Sequence, residues 1–238
     1  MAEGGERLRK VVKALLNKID VGITTREINR IAEDLIKEQD GESSFNKVKG
    51  YSWSTCLPIN EQVVHTPPSD RKLKQGDVLT VDIGMFFKGF HTDFATTFVV
   101  GGEPDGETSR FLETGKRALS KAIKQAKAGN RLGDISQAIE KEVYSQGYFI
   151  VKELTGHGIG RQLHEDPYVF GFQEKPIEKT LKIQPGLVIA IEVIYSKGSE
   201  EMAYEKDEDW SIISADRSLS ACFEHTVAIT EKQTLVLT

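Results

Sequence analysis

Apolar residues recur at helical spacing from the start of the chain. Leu8, Val12, Leu15 and Ile19 fall on one stripe and predict an amphipathic helix that Gly22 ends. Thr24 and Glu27 stand three apart, the spacing at which a hydroxyl and a carboxylate cap each other's backbone N–H. They open a second helix with Ile28, Ala32 and Leu35 on one face. A stretch with Gly, Asn and Ser follows to about Ser54 and predicts irregular chain or short strand. Residues 78–83 and 92–100 are rich in strand formers, with Lys88-Gly89 as the turn between them. Helices are expected at about 109–127 and 134–146, then strands at 188–195, 210–214 and 222–230.

The pattern repeats. Gly22 precedes Glu27-Ile28 by five residues, as Gly129 precedes Asp134-Ile135, and each pair opens the second helix of its half. Gly76-Asp77-Val78-Leu79-Thr80-Val81-Asp82 matches Gly186-Leu187-Val188-Ile189-Ala190-Ile191-Glu192: a glycine, an apolar strand, then a carboxylate. The offsets are 107 residues for the helices and 110 for the strands, which predicts two helix-helix-strand units related by a pseudo-two-fold axis. No low-complexity linker separates them. The expectation is one α+β domain over residues 1–238, with helices backing a mixed, largely antiparallel sheet.

Composition changes this picture little. The chain is 39% hydrophobic and 28% charged, and its net charge of −5 gives no bias toward nucleic acid or anionic membrane. The densest charge run, 205–209, is interrupted by Lys206 and reads as a solvated loop. No apolar stretch is long enough to span a bilayer, and the first residues lack a signal peptide's apolar core. The two cysteines, Cys56 and Cys222, form no CxxC pair and point to a reducing, cytoplasmic setting.

The candidate chemistry lies where carboxylates interrupt apolar strands. Asp82 sits between Val81 and Ile83, and burying it is costly unless it is paired or binds a metal. In a hairpin centred near 87–88, Asp93 stands opposite Asp82, and two bare carboxylates there repel unless a cation lies between them. Glu192 is the sole charged residue of its strand, and Glu224 opens another apolar strand. His157, within Gly156-His157-Gly158-Ile159-Gly160, adds an imidazole. Two Asp, two Glu and one His carry four negative charges, which two divalent ions would neutralise; the donor set admits Mn, Fe, Co or Zn. Taken singly, each residue also fits an edge carboxylate or a locally satisfied histidine. Their matching positions in two half-repeats favour the metal reading.

Together these segments resemble the type I methionine aminopeptidases, of the pita-bread fold shared with creatinase and prolidase. The resemblance runs through Asn60-Glu61-Gln62-Val63-Val64-His65, the Asp82 strand, Gly89-Phe90-His91-Thr92-Asp93, the His157 segment, His164-Glu165-Asp166-Pro167, the Glu192 strand, and 216–226. It implies metal ligation by Asp82, Asp93, His157, Glu192 and Glu224, with Glu192 also a proton shuttle. It implies substrate-facing roles for His65 and His164, and a methionine pocket lined by Tyr51, Cys56, Leu163 and Trp210. His91 and His225 are expected to support or pack. Leu163 stands where the family often has an aromatic, and Val193-Ile194 where Pro-Met is frequent. The implied activity is removal of N-terminal methionine before a small second residue, on nascent chains, by a monomer that could dock at the ribosome. Two alternatives remain open from sequence: an enzyme acting before proline or on dipeptides, and a non-catalytic binding module on the same fold.

Overall fold

The computed structural model describes residues 1–206 and 208–238, so the charge run 205–209 crosses one residue, 207, outside that range. Helices α1 (Ala2–Leu16) and α2 (Thr25–Glu38) lead into the short strands β1 (Glu42–Ser43), β2 (Thr55–Cys56) and β3 (Gln62–Val64). The long hairpin β4 (Val78–Phe87) and β5 (Phe90–Val99) follows. Helices α3 (Gly106–Gln125) and α4 (Leu132–Ser145) open the second half, followed by β6 (Phe149–Ile150), β7 (Thr155–Gly158), β8 (Glu165–Phe170) and β9 (Val188–Ser196). Strands β10 (Met202–Tyr204), β11 (Ile212–Ser214), β12 (Ser220–Ile229) and β13 (Thr234–Val236) end the chain.

The helices start where their caps dictate. The Thr24 hydroxyl accepts the Glu27 N–H at 3.1 Å, and the Glu27 carboxylate accepts the Thr24 N–H at 2.8 Å, completing the capping box. Helix α3 begins a few residues earlier than its apolar stripe suggests, because the Asp105 carboxylate accepts the Thr108 N–H at 2.7 Å.

The main sheet runs β1-β4-β5-β12-β9-β7-β8, and its pairings are antiparallel. Alternation gives it two different faces. On one, Leu79, Val81, Ile83 and Met85 pack with Leu8, Leu15, Ile28 and Ile36 of α1 and α2. The same face of β9 and β12 packs Ile191, Val193, Tyr195 and Phe223 against Phe111, Ile135 and Ile139 of α3 and α4. The opposite face carries the carboxylates and lies against a small sheet, β10-β11-β3.

The two-fold repeat is present in the hydrogen bonding. Gly22 donates to Leu73 O and Gly129 to Ile183 O; Gly76 donates to Val100 O and Gly186 to Ile229 O. Single bridges join Thr24 to Lys72 and Arg131 to Lys182. Asp82 and Glu192 are each the fifth residue of their strand.

Two expectations need correction. Lys88 and Gly89 both have positive φ and form a two-residue turn, which sets Phe87 opposite Phe90 and Asp82 opposite Ala95. Asp93 therefore lies opposite Gly84, diagonal to Asp82 on the same face rather than facing it. Glu224 does not open its strand but lies in the middle of β12, because Ser220 to Phe223 already pair with β9.

Strand β7 requires glycine for close approach. A Cβ on Gly156 would meet Ala190 O at 2.4 Å, and one on Gly158 would meet Asp166 O at 2.2 Å. Both obstacles are backbone atoms of neighbouring strands. Gly156→Ala is expected to destabilise the protein by about 1–3 kcal/mol, read as a lower urea midpoint with unchanged slope.

Candidate metal centre and active site

Four strands deliver one row of side chains across the sheet. Asp82 on β4 is opposite Ala95 on β5, Ala95 is opposite Glu224 on β12, and Glu224 is opposite Glu192 on β9. The small Ala95 leaves room in the middle of the row, and Asp93 enters it from two residues along β5. His157 on β7 pairs with Ala190 and so reaches Glu192 diagonally, its Nε2 3.4 Å from Glu192 Oε1. One ligand atom each from Asp93, His157 and Glu224 lies within 4.8 Å of the others.

The electrostatics of this cluster call for a cation. Burial holds the Asp93 carboxyl up at about 7. Burial, then the neighbouring Asp93, raises Glu192 to about 8. The Asp82 and Glu224 carboxyls are pushed well above the usual range, again by burial first and by the other carboxylates second. Among the described residues, Glu224 Oε1 is the buried side-chain oxygen that no hydrogen-bond donor reaches. Such an oxygen is costly unless something else fills its coordination. His157 Nδ1 lies 2.9 Å from the Gly158 carbonyl, so Nδ1 carries the hydrogen and Nε2 keeps its lone pair toward the carboxylates. Burial and the adjacent His164 lower the His157 pKa to about 4, leaving the ring neutral.

Around the row lies a cavity of about 640 Å³. All the residues expected at the site line it: Asp82, Asp93, His157, Glu192 and Glu224 on one wall, His65 and His164 nearer the mouth, and Tyr51, Cys56, Leu163 and Trp210 on an apolar wall. The His164 ring lies 4.4 Å from that of His157. Tyr51 stacks edge-on against Trp210 at 5.2 Å and donates from its hydroxyl to Thr55 O and Cys56 Sγ. Cys56 stands directly across β2/β4 from Asp82. The apolar wall thus abuts the carboxylate row.

Comparison with known proteins agrees with this geometry. Residues 1–231 match the model of metallopeptidase family M24. The chain belongs to this family. Methionine aminopeptidase 1 of Bacillus subtilis is similar at 38% identity, covering 100% of the chain and 94% of that protein. The crystal structure of a methionine aminopeptidase from Thermotoga maritima superposes with a TM-score of 0.95 at 33% identity, covering 100% of this chain and 94% of that one. Prolidase from Pyrococcus furiosus, at 22% identity, TM-score 0.77 and 62% of its own length, shows the shared pita-bread fold alone.

As a family M24 metallopeptidase, the chain uses divalent metal, and its oxygen-rich row with one neutral imidazole fits such ions. A pH test follows from the same residues. The four carboxyls hold their protons in the native metal-free state above the pH of about 4 at which an unfolded chain releases them. Metal-free stability therefore falls as pH rises from about 4 through about 7 for Asp93 and about 8 for Glu192. His157 acts in the opposite sense, losing stability as pH falls from its ordinary value of 6.5 toward about 4. Between pH 6.5 and 8 the carboxyls act alone. Calorimetry in chelator should show Tm dropping across that interval and divalent metal abolishing the drop; a flat Tm would contradict the coupling.

Other residues reach the site without having been expected there. Cys222, Ile194 and Thr80 line the cavity as alternate residues of the site face. His65 has φ +58°, a left-handed conformation that costs a non-glycine residue about 1–3 kcal/mol and must be held by its surroundings. Glu205 supplies the hold. It accepts from Gln62 Nε2 at 2.6 Å and from Ser211 Oγ at 2.7 Å, and the Ser211 and Thr66 hydroxyls lie 2.9 Å apart. This network ties the His65 segment to the hairpin that carries Trp210. His91 and His225 stay outside the cavity, near the Ser44 and Thr238 hydroxyls respectively.

Proposed function

We propose that this M24 metallopeptidase removes the N-terminal methionine from newly made polypeptides, with residues 1–238 as one catalytic unit. The observation that carries the proposal is the pairing of a buried carboxylate–histidine row with an apolar, aromatic-walled pocket inside a single cavity. Relatives that share nearly the whole chain are named for this activity.

Asp82, Asp93, His157, Glu192 and Glu224 would hold two divalent ions of Mn, Fe, Co or Zn type, whose four balancing positive charges relieve the repulsion in the row. When bound, such ions lower the pKa of a water and polarise a carbonyl. The remaining work falls to the side chains. Tyr51, Cys56, Leu163 and Trp210 form the pocket for the methionine side chain. The Glu192 carboxylate takes the proton of the attacking water and passes it to the leaving amine nitrogen. His164 donates a hydrogen bond to the carbonyl oxygen as negative charge develops there. His65, held by the Glu205 network, does the same for the peptide group beyond the scissile bond. Burial lowers the pKa of both His65 and His164, so each imidazole donates from its neutral form near pH 7.

No helix of the described residues is long and apolar enough to cross a membrane. We place the enzyme in the cytoplasm as a monomer acting on chains that leave the ribosome, with a small residue preferred after methionine. The test is methionine release from Met-Ala-Ser against release of the first residue from an X-Pro peptide. Met-Ala-Ser should be cleaved at least tenfold faster, chelator should abolish cleavage, and added Mn, Fe or Co should restore it. Full turnover in excess chelator would reject the proposal.

A further inference from the structure

A second cavity of about 510 Å³ adjoins the catalytic one. Leu132 and Ser136 of α4, Phe170, Phe172 and Leu181 line it, and Asp166 and Tyr168 line both cavities. The strand joining the two is β8, the last of the sheet; among the described residues no strand pairs with its outer edge. Tyr168 and Phe170 stand opposite His157 and Thr155 of β7 and so share one face, while Asp166 lies in the step between Glu165 and Tyr168 where the register with β7 shifts. Asp166 and Tyr168, which line both cavities, and Phe170, which lines the second, connect the two. Tyr168 is 64% exposed and Leu181 53% exposed, so two large side chains stand in water beside an already apolar wall.

We propose that the β8 edge and the second cavity extend the substrate site, binding an apolar segment of the polypeptide about four to six residues beyond the scissile bond. This rests on the aminopeptidase reading above. Continuity selects the occupant: Asp166 and Tyr168 are exposed and border both cavities, so a chain held by its N-terminus at the carboxylate row has a path across them into the second cavity. Reach fixes the positions. At no more than about 3.6 Å per residue, the four steps from His164 to Tyr168 span at most about 14 Å. A substrate whose scissile bond lies by His164 therefore reaches Tyr168 within about four following residues, and the next ones extend toward Leu181. The free edge offers backbone N–H and C=O groups to an added strand, and Leu132, Phe172 and Leu181 offer apolar contact to alternate side chains.

The experiment compares Met-Ala-Ser with two decapeptides that begin with the same residues. One carries Leu and Phe at positions 5–7, the other Ser and Gly. The apolar decapeptide should exceed the polar one in kcat/KM by about tenfold, mainly through KM, as burial of one or two side chains predicts. Leu181→Asp, on the surface, should bring that ratio near one. Equal kcat/KM in the parent, or a ratio that persists in both Leu181→Asp and Tyr168→Ala, would overturn the proposal. If no peptide is cleaved, the activity reading fails, and anisotropy of the labelled apolar decapeptide still decides the groove. About tenfold weaker binding to Leu181→Asp supports it, and equal binding overturns it. A dimer in gel filtration that Leu181→Asp dissociates would assign the groove to a second copy and likewise overturn it.

Discussion

Glu192→Ala is expected to cut methionine release from Met-Ala-Ser by on the order of 10⁴-fold. Two losses combine. The variant removes the carboxylate that faces Glu224 across β9/β12 and stands 3.4 Å from His157 Nε2, so metal affinity falls. It also removes the proton carrier. Glu192→Gln separates them, because the amide keeps the shape and one oxygen donor but cannot accept the proton, and it should lose on the order of 10²–10³-fold. The same substitutions relieve repulsion in the row, so the chelated variants should melt above the chelated parent at pH 8, where the parent's carboxyls pay most for ionising. Chromatographic assay of free methionine together with calorimetry reads both effects. Activity within tenfold of the parent in Glu192→Ala would remove Glu192 from the mechanism.

The second large effect is at His164. His164→Ala should lower kcat by on the order of 10²–10³-fold, the range for losing a donor to a developing oxyanion, while bound metal stays at the parent level. His164 packs against His157 at 4.4 Å but is not one of the three groups whose ligand atoms converge. That difference sets the two histidines apart: His157→Ala should lose metal and activity together. Metal analysis beside steady-state kinetics makes the distinction. Loss of metal in His164→Ala would make it a ligand rather than a donor.

Much of this arrangement was legible in the sequence because it rests on local rules. Strand alternation placed Val81 and Ile83 opposite to Asp82, the capping box located α2, and the 107- and 110-residue offsets paired Asp82 with Glu192. What stayed hidden was set at a distance or by backbone geometry. The register of β4 and β5 depends on the two positive φ angles at Lys88 and Gly89, and one step in the turn moved Asp93 from opposite Asp82 to the diagonal. Strands β7 and β8 carry glycine and proline, the residues that argue against strand, yet the glycines are what let β7 lie close to β9. The Gln62–Glu205 contact joins residues 143 apart in the chain, and no periodicity marks it. The apolar wall proposed to hold methionine draws Tyr51, Leu163 and Trp210 from three separate segments, and only the family resemblance linked them.

Anomalous diffraction from active crystals grown with Mn tests the central claim most directly. The account predicts two peaks about 3.5–4 Å apart, enclosed by Asp82, Asp93, His157, Glu192 and Glu224. Crystals that turn over Met-Ala-Ser while holding Mn only elsewhere, with these five side chains bonded to one another or to water alone, would contradict it.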